Sequence, residues 1–129
     1  MKSSLKILIK EKLVLKKFRG ELSINDVQII FRETKKLKES YPDFNTINDY
    51  RGAILTFEKN DFVQLMKYYN KDTFSDTIKL YIVDSPKLFV IYKFYQDNYD
   101  FKNTQIFNTL EGACSSNGVN IKLIKDFFG

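Results

Sequence analysis

Residues 78–86, with the sequence IKLYIVDSP, decide the fold. The first six of them are mostly apolar, which is typical of a strand buried on both faces in a parallel sheet. Ser85 is a good helix N-cap and Pro86 suits the first helical position. The stretch therefore predicts a buried parallel strand that leads directly into a helix, which is the repeating unit of an α/β fold.

The N-terminal segment predicts an antiparallel hairpin. Apolar residues recur with a period of two over 5–9 and again over 13–18, with a pause at residues 10–12. This alternation is typical of half-buried strands, so we expect the lysines between the apolar residues to point outward. Gly20 is predicted to end the hairpin.

Two helices follow the hairpin. Ser23 with Asp26 three residues later predicts a capping box at the start of the first, and Pro42 predicts its end. Residues 46–50 form a short strand that breaks at Gly52. Either Thr56 or Glu58 then opens the second helix, whose apolar stripe consists of Phe62, Leu65, Met66 and Tyr69.

The C-terminal third completes the pattern. Residues 87–99 suit either a strand or a helix, and their capped start and length favour a helix. Residues 104–107 predict a last strand, Thr109 caps a short helix that Gly118 closes, and Asn120 caps a final turn.

The element order is β-β-α-β-α-β-α-β-α, in one domain that spans residues 1–129. Strands separated by helices need crossover connections, which make neighbouring strands parallel. We therefore expect an α/β fold: a single four- to five-stranded, mainly parallel sheet, with an antiparallel strand from the N-terminal hairpin and helices packed on it.

Composition argues against the common enzyme classes. The chain has no histidine, the usual general base near neutral pH and the commonest zinc ligand, and its one cysteine, Cys114, permits no internal disulfide. We expect a protein that is not an enzyme and uses no cofactor or metal.

Charge and hydropathy limit the partners. The net charge of +5 is concentrated in residues 1–19, which hold seven Lys or Arg, and no nucleic-acid signature accompanies it. The longest apolar stretches, residues 80–83 and 88–92, are far shorter than a membrane span. We expect a cytoplasmic protein with no membrane span and no nucleic-acid partner.

Two segments carry a resemblance to a known family. Residues 20–26 (GELSIND) enter the first helix and residues 106–113 (IFNTLEGA) enter the last, and with the element order they resemble the SpoIIAA-like family of STAS and Sec14-type domains. The resemblance implies a small regulatory or binding module. The best known relatives dock on a kinase partner through the loop after the third strand.

That loop departs from the family pattern. The relatives carry an Asp-Ser-Ser-Gly motif with a phosphorylated serine, and the matching residues here are Asp49, Tyr50, Arg51 and Gly52. Arg51 stands at the phosphoacceptor position, and a permanent cation cannot undergo the charge change of phosphorylation. The nearby hydroxyls of Thr56 and Ser85 are most simply helix caps.

Several side chains could bind a partner or ligand. Asp49 and Asp84 end adjacent parallel strands, where α/β sheets bind ligands, and could form an acid/base or metal pair or only stabilise turns. Arg51 beside Gly52 could hold an acidic group, or it could be a solvated surface arginine.

Residues 88–95 are apolar on nearly every side, including Phe89 and Tyr92. Three explanations are open: a homodimer or other protein partner, a small apolar ligand, or burial under neighbouring helices. Our first hypothesis is a non-catalytic, STAS-like protein-interaction module that docks through residues 49–56 and the exposed side of this helix. The alternative is a carrier or sensor of a lipid or other small apolar ligand. The predicted contact residues are Asp49, Arg51, Gly52, Ser85, Phe89 and Tyr92.

Overall fold

The computed structural model describes residues 2–67, 76–98 and 103–129. Tyr69, predicted in the stripe of the second helix, and Tyr99, predicted at the end of the third, lie outside these ranges. The strands are β1 (Lys2–Leu8), β2 (Leu13–Leu22), β3 (Asn45–Asp49), β4 (Ala53–Leu55), β5 (Lys79–Ile82) and β6 (Thr104–Phe107). The helices are α1 (Ile24–Ser40), α2 (Lys59–Met66), α3 (Pro86–Asn98), α4 (Leu110–Asn117) and α5 (Lys125–Phe128), with a 3-10 turn at Ile121–Leu123.

The strands form one mixed sheet in the order β1-β2-β3-β5-β6, and β4 pairs with the end of β2. The β1–β2 pair is antiparallel and every other pair is parallel. This confirms the predicted α/β fold with its antiparallel N-terminal strand. The sheet has six strands where four to five were expected, because residues 53–55 pair with Gly20–Leu22 and add the short strand β4.

Gly20 ends the hairpin pairing as expected, because β1 pairs with β2 only up to Arg19, but it does not end strand β2. Strand β2 pairs with β3 up to Lys17, bends at Gly20 and then pairs with β4. Gly20 has a φ of +86°, a conformation that only glycine adopts at little cost, and its N–H donates to the carbonyl of Gly52 at 3.0 Å. The glycine bends the strand, and the strand continues to Leu22.

Helix ends follow the local sequence. Ser23 and Asp26 form the predicted capping box, and Ser85 Oγ accepts a backbone N–H from the first turn of α3 at 3.2 Å. Thr109 caps α4, which ends at Gly118 with a φ of +66°. These predictions are confirmed.

The start of α2 settles the choice between Thr56 and Glu58. Glu58 is the N-cap and forms a capping box with Asp61. Thr56 instead donates its hydroxyl to the carbonyl of Leu22 at 3.1 Å, so it ties the segment after β4 to the end of β2.

The two faces of the sheet pack on different helices. One face and its helices α4 and α5 form an apolar cluster with Leu13, Leu15, Ile47, Leu80 and Ile82 on the strands. The other face packs under α1, α2 and α3, with Phe18, Tyr50 and Val83 in its core.

One lysine of the hairpin departs from the outward orientation that we expected. Lys6 is exposed, but Lys16 is only 6% exposed and its ammonium group bonds to Thr34 Oγ1 on α1. The reason is that α1 covers the face of β2 on which Lys16 lies. In the parts of the chain that the structure describes, no helix is long and apolar enough to cross a membrane.

Candidate functional site

A tight turn follows β3 at the carboxyl edge of the parallel strands. The N–H of Ala53 donates to the carbonyl of Tyr50 at 3.0 Å, and Gly52 has a φ of +77°, which is the geometry of a type II turn. A Cβ at Gly52 would lie 3.1 Å from Cδ of Arg19. Both the backbone angle and this close approach favour glycine, so the turn places Arg51 at a fixed position.

Asp49, the last residue of β3, is the centre of the site. Its fully buried carboxylate accepts hydrogen bonds from Arg19 Nη2 at 2.8 Å, from Arg51 Nε and Nη2 at 2.9 Å each, and from the Arg51 backbone N–H at 3.0 Å. Burial alone would raise the pKa of Asp49, but the hydrogen bonds from Arg51 and Arg19 outweigh it and hold the pKa below its usual value.

Arg19 is a residue of this site that the sequence analysis missed. It extends from β2, and besides Asp49 its guanidinium donates to the carbonyl of Phe128 at 3.2 Å. Lys17 donates to the neighbouring carbonyl of Phe127 at 2.9 Å, so the last turn of the chain is tied to the same edge. Only the register of β2 against β3, in which Lys17 faces Asp49, places Arg19 here, and sequence spacing does not reveal that register.

Asp84 holds the turn from the other side. Its exposed carboxylate accepts the N–H of Gly52 at 2.9 Å. Asp49 and Asp84 therefore each bind different donors and do not face one another as an acid/base pair. The hydrogen bond to Asp49 raises the pKa of Arg51, and the carboxylates of Glu111 and Asp84 act in the same direction.

The Nη1 nitrogen of Arg51 is available for other contacts. The arginine's Nε and Nη2 are bonded to Asp49, whereas Nη1 has no hydrogen-bond partner among the described residues. The side chain is 28% exposed. Any acidic group that approaches from outside would therefore reach Nη1 in an arginine whose orientation is already fixed.

The predicted contact residues on α3 separate into two groups. Ser85 caps the helix, and Phe89 and Val90 are 48% and 53% exposed. Tyr92 is 6% exposed and stacks on Tyr81 with ring centroids 4.6 Å apart. Tyr92 thus packs in the core, because it lies on the side of α3 that meets the sheet, and we leave it out of the contact surface.

The fold places the chain in a known structural class. An antiparallel hairpin strand beside parallel strands that alternate with helices is the STAS arrangement, as the sequence resemblance implied. The structure is similar to one solved as "Structure of the Anti-Sigma Factor Antagonist SpoIIAA in its Unphosphorylated Form", with a TM-score of 0.59 and 14% sequence identity over 91% of this chain and 97% of that chain. At that identity the likeness shows the fold alone. No family model and no curated protein matches the sequence.

Proposed function

We propose that this protein is a non-catalytic regulatory module that docks a protein partner through residues 49–56 and the outer side of α3. The observation that carries the proposal is the turn at Arg51 and Gly52, which is held by several hydrogen bonds. The sequence resemblance matches this turn to the family's phosphorylated loop. The SpoIIAA-like fold, known in an anti-sigma-factor antagonist, supports a regulatory role.

The rigidity of the turn suits a docking element. Asp49 fixes Arg51, Asp84 fixes the backbone of Gly52, and Gly20 donates to the carbonyl of the same glycine. A loop that is already ordered loses little conformational entropy when a partner binds, so more of the contact energy contributes to affinity.

Exposed apolar side chains lie on the elements next to the turn. Ile54 on β4 is 61% exposed, and Phe89 and Val90 are exposed on α3. Lys87 joins the two elements, since its ammonium group donates to the carbonyl of Leu55 at 3.2 Å. Apolar anchors beside a charged, ordered group are the usual composition of a protein-binding surface.

The arginine changes how such a module would be regulated. Arg51 carries its charge at every physiological pH, so the turn cannot switch between neutral and dianionic forms as a phosphorylated serine does. We propose that occupancy of this surface depends on the supply of the partner and on any charge change that the partner itself undergoes.

Site-specific photo-crosslinking tests the surface. A photoreactive phenylalanine analogue is placed at Ile54 or Phe89 and, as the matched control, at Leu123, which is 48% exposed like Phe89 but lies in the 3-10 turn on the other face of the sheet. In the native host we expect one and the same protein to be captured from positions 54 and 89 and not from 123. Equal capture from 123, or no discrete adduct from 54 and 89, contradicts the proposal.

The same experiment addresses the alternatives. A homodimer would give adducts of twice the 15.3 kDa chain mass. The structure gives a lipid or apolar ligand held by α3 less support. Of the α3 residues that the structure describes, only Tyr95 lines the cavity between the sheet and α1, whereas Phe89 is exposed. Cytoplasmic location stays a prediction from the sequence.

A further inference from the structure

Almost all of the buried polar side chains in the described residues line one cavity. It lies between the sheet and helix α1, with Tyr95 of α3 at its side. Apart from Asp49, every buried polar or charged residue in the described ranges lines it, namely Lys16, Asn48, Thr77, Lys79 and Thr104. Such concentration is unusual, because a buried polar group costs free energy unless it is paired.

Strand register brings these groups together. Lys79 on β5 has Thr46 of β3 on one side and Thr104 of β6 on the other. Two residues further along the strands, and therefore on the same face, Lys16 lies beside Asn48. The centre of this sheet face is thus a row of donors where an apolar core would normally continue.

Two of the groups have no hydrogen-bond partner among the residues that the structure describes. The Lys79 ammonium group and the Thr104 hydroxyl are both shielded from solvent and make no hydrogen bond, with the residues 8% and 4% exposed. Buried polar atoms in native proteins are nearly always bonded, and a buried cation without a partner is the costliest exception. A group from outside the chain that accepts hydrogen bonds would remove this cost.

The charges around the cavity select an anion. Its lining contains three lysines, Lys16, Lys38 and Lys79, and no carboxylate. Two acids outside the lining act on these lysines: Asp76, which accepts a hydrogen bond from Lys38 at 2.6 Å, favours the charged form of Lys79, and Glu33 favours that of Lys16. Neither carboxylate lines the cavity.

Burial is the main cause of a lowered pKa in both buried lysines, and it outweighs the opposing effects of Glu33 and Asp76. Burial lowers the pKa of Lys16 to about 8, and burial together with the charge of Lys38 lowers that of Lys79 to about 8. A bound anion would act in the opposite direction on both groups, because an opposite charge at close range favours the protonated ammonium.

The available space suits a small molecule. The cavity has a volume of about 50 Å³, several times the roughly 10–15 Å³ that one water molecule needs by the same measure. An open groove of about 340 Å³ between β1 and α1 shares Lys16, Ile30 and Leu37 with it. The groove and the cavity therefore adjoin at these three side chains.

We propose that this cavity binds the oxyanion of a small organic acid or phosphate ester, with Lys79 and Thr104 as its main donors and Lys16 as the second cation. The site is separate from the turn at Arg51 and does not depend on the protein-docking role. Binding of an anion would account for the buried polar side chains of the cavity, which packing alone does not explain.

Titration calorimetry with three probes tests the site: inorganic phosphate, phenyl phosphate and hexanoate. We expect saturable binding of at least one, weakened tenfold or more by Lys79→Met and unchanged by Lys93→Met, a control on α3 whose side chain is 49% exposed. Phosphates and hexanoate distinguish a phosphate ester from a carboxylic acid. If all three bind more weakly than about 10 mM, or if Lys79→Met binds as well as the parent protein, the proposal is overturned.

A second measurement uses the unsubstituted protein, so it does not depend on whether the Lys79 variant folds. In protein labelled with ¹³C at lysine Cε, the Lys79 signal should shift when the bound probe is added, and its apparent pKa should rise. Thr104→Val, which removes a hydroxyl and keeps the side-chain shape, should weaken binding less than Lys79→Met does. A Lys79 signal that does not respond to a bound probe places the anion elsewhere and contradicts the assignment.

Discussion

The two faces of the sheet differ in the residues at their centres. The face toward α4 and α5 is apolar at its centre, with Leu15, Ile47 and Ile82 all fully buried. The face toward α1 and α3 holds Lys16 and Lys79 at the corresponding depth. Both faces belong to the same strands, so alternate residues of one strand serve a packed core on one side and a polar cavity on the other.

The buried charges differ in the same way. Asp49, at the end of β3, is bonded by two arginines and by a backbone N–H, and it orders a turn. The ammonium group of Lys79 has no hydrogen-bond partner within residues 2–67, 76–98 and 103–129. A buried charge whose hydrogen bonds are all made within the protein stabilises a defined structure, as Asp49 does. A buried charge without such bonds can still bind a ligand, which is the role proposed for Lys79.

The largest expected effect is a cavity made on the apolar face. Ile47→Ala should lower the free energy of unfolding by about 2–5 kcal/mol, because a fully buried side chain is replaced by a void. Thr46→Ala, the adjacent change on the other face, should cost about 1 kcal/mol or less. Urea denaturation with unchanged m values measures both, and equal losses would remove the distinction between the faces.

On the polar face, a substitution is expected to raise the free energy of unfolding. Lys79→Met should raise the free energy of unfolding by about 1–3 kcal/mol in the ligand-free protein, because it removes an unpaired buried ammonium and keeps a side chain of similar length. Lys93→Met on the surface should change it by about 0.5 kcal/mol or less. A marked loss of stability in Lys79→Met would show that the lysine already has a stabilising partner.

A more gradual effect is expected from pH. Lys16 and Lys79 have folded pKa values of about 8, below the 10.5 of an unperturbed lysine, so above pH 8 the unfolded chain binds more protons than the folded one. Stability should therefore rise from about pH 8 towards pH 10, by about 1 kcal/mol per lysine for each pH unit. Below the folded pKa both states are protonated and this dependence vanishes.

Buried tyrosines determine the pH above which stability falls again. Burial raises the pKa of Tyr50 to about 12, so near pH 10 the unfolded chain loses this proton first and stability falls again. Denaturation midpoints from pH 7 to 11 should pass through a maximum, and Lys79→Met should remove about half of the rise. A flat profile between pH 8 and 10 would mean that neither lysine has a lowered pKa.

Much of the fold could be predicted because its signals are local. The capping box at Ser23, the N-cap at Ser85 and the terminating Gly118 each depend on residues within one helical turn, and the structure has all three. The order of strands and helices then led to a parallel sheet through connection rules alone.

Not all residues of the site could be predicted, because local sequence patterns reveal neither strand register nor which helix covers a strand. Arg19 reaches Asp49 across a strand pair, and its role depends on a register fixed by the whole sheet. Lys16 resembles any outward lysine of a hairpin until α1 covers it, and Lys79 interrupts a run that otherwise predicts a buried strand. Periodicity finds the face on which a residue lies, but it does not say which helix, if any, covers that face.

The pairing of β2 also has a consequence for how the chain folds. Its contact with β1 closes through the short turn at residues 9–12, whereas its contacts with β3 and β4 join positions more than 30 residues apart, such as Leu13 with Asn45 and Gly20 with Ala53. Hairpins form in about 1–10 μs, and non-local parallel pairing is far slower because long loops must close first. We expect β1 and β2 to assemble first, with the bend at Gly20 waiting for the distant strands, so that the slowest step in refolding is the one that builds the turn at Arg51.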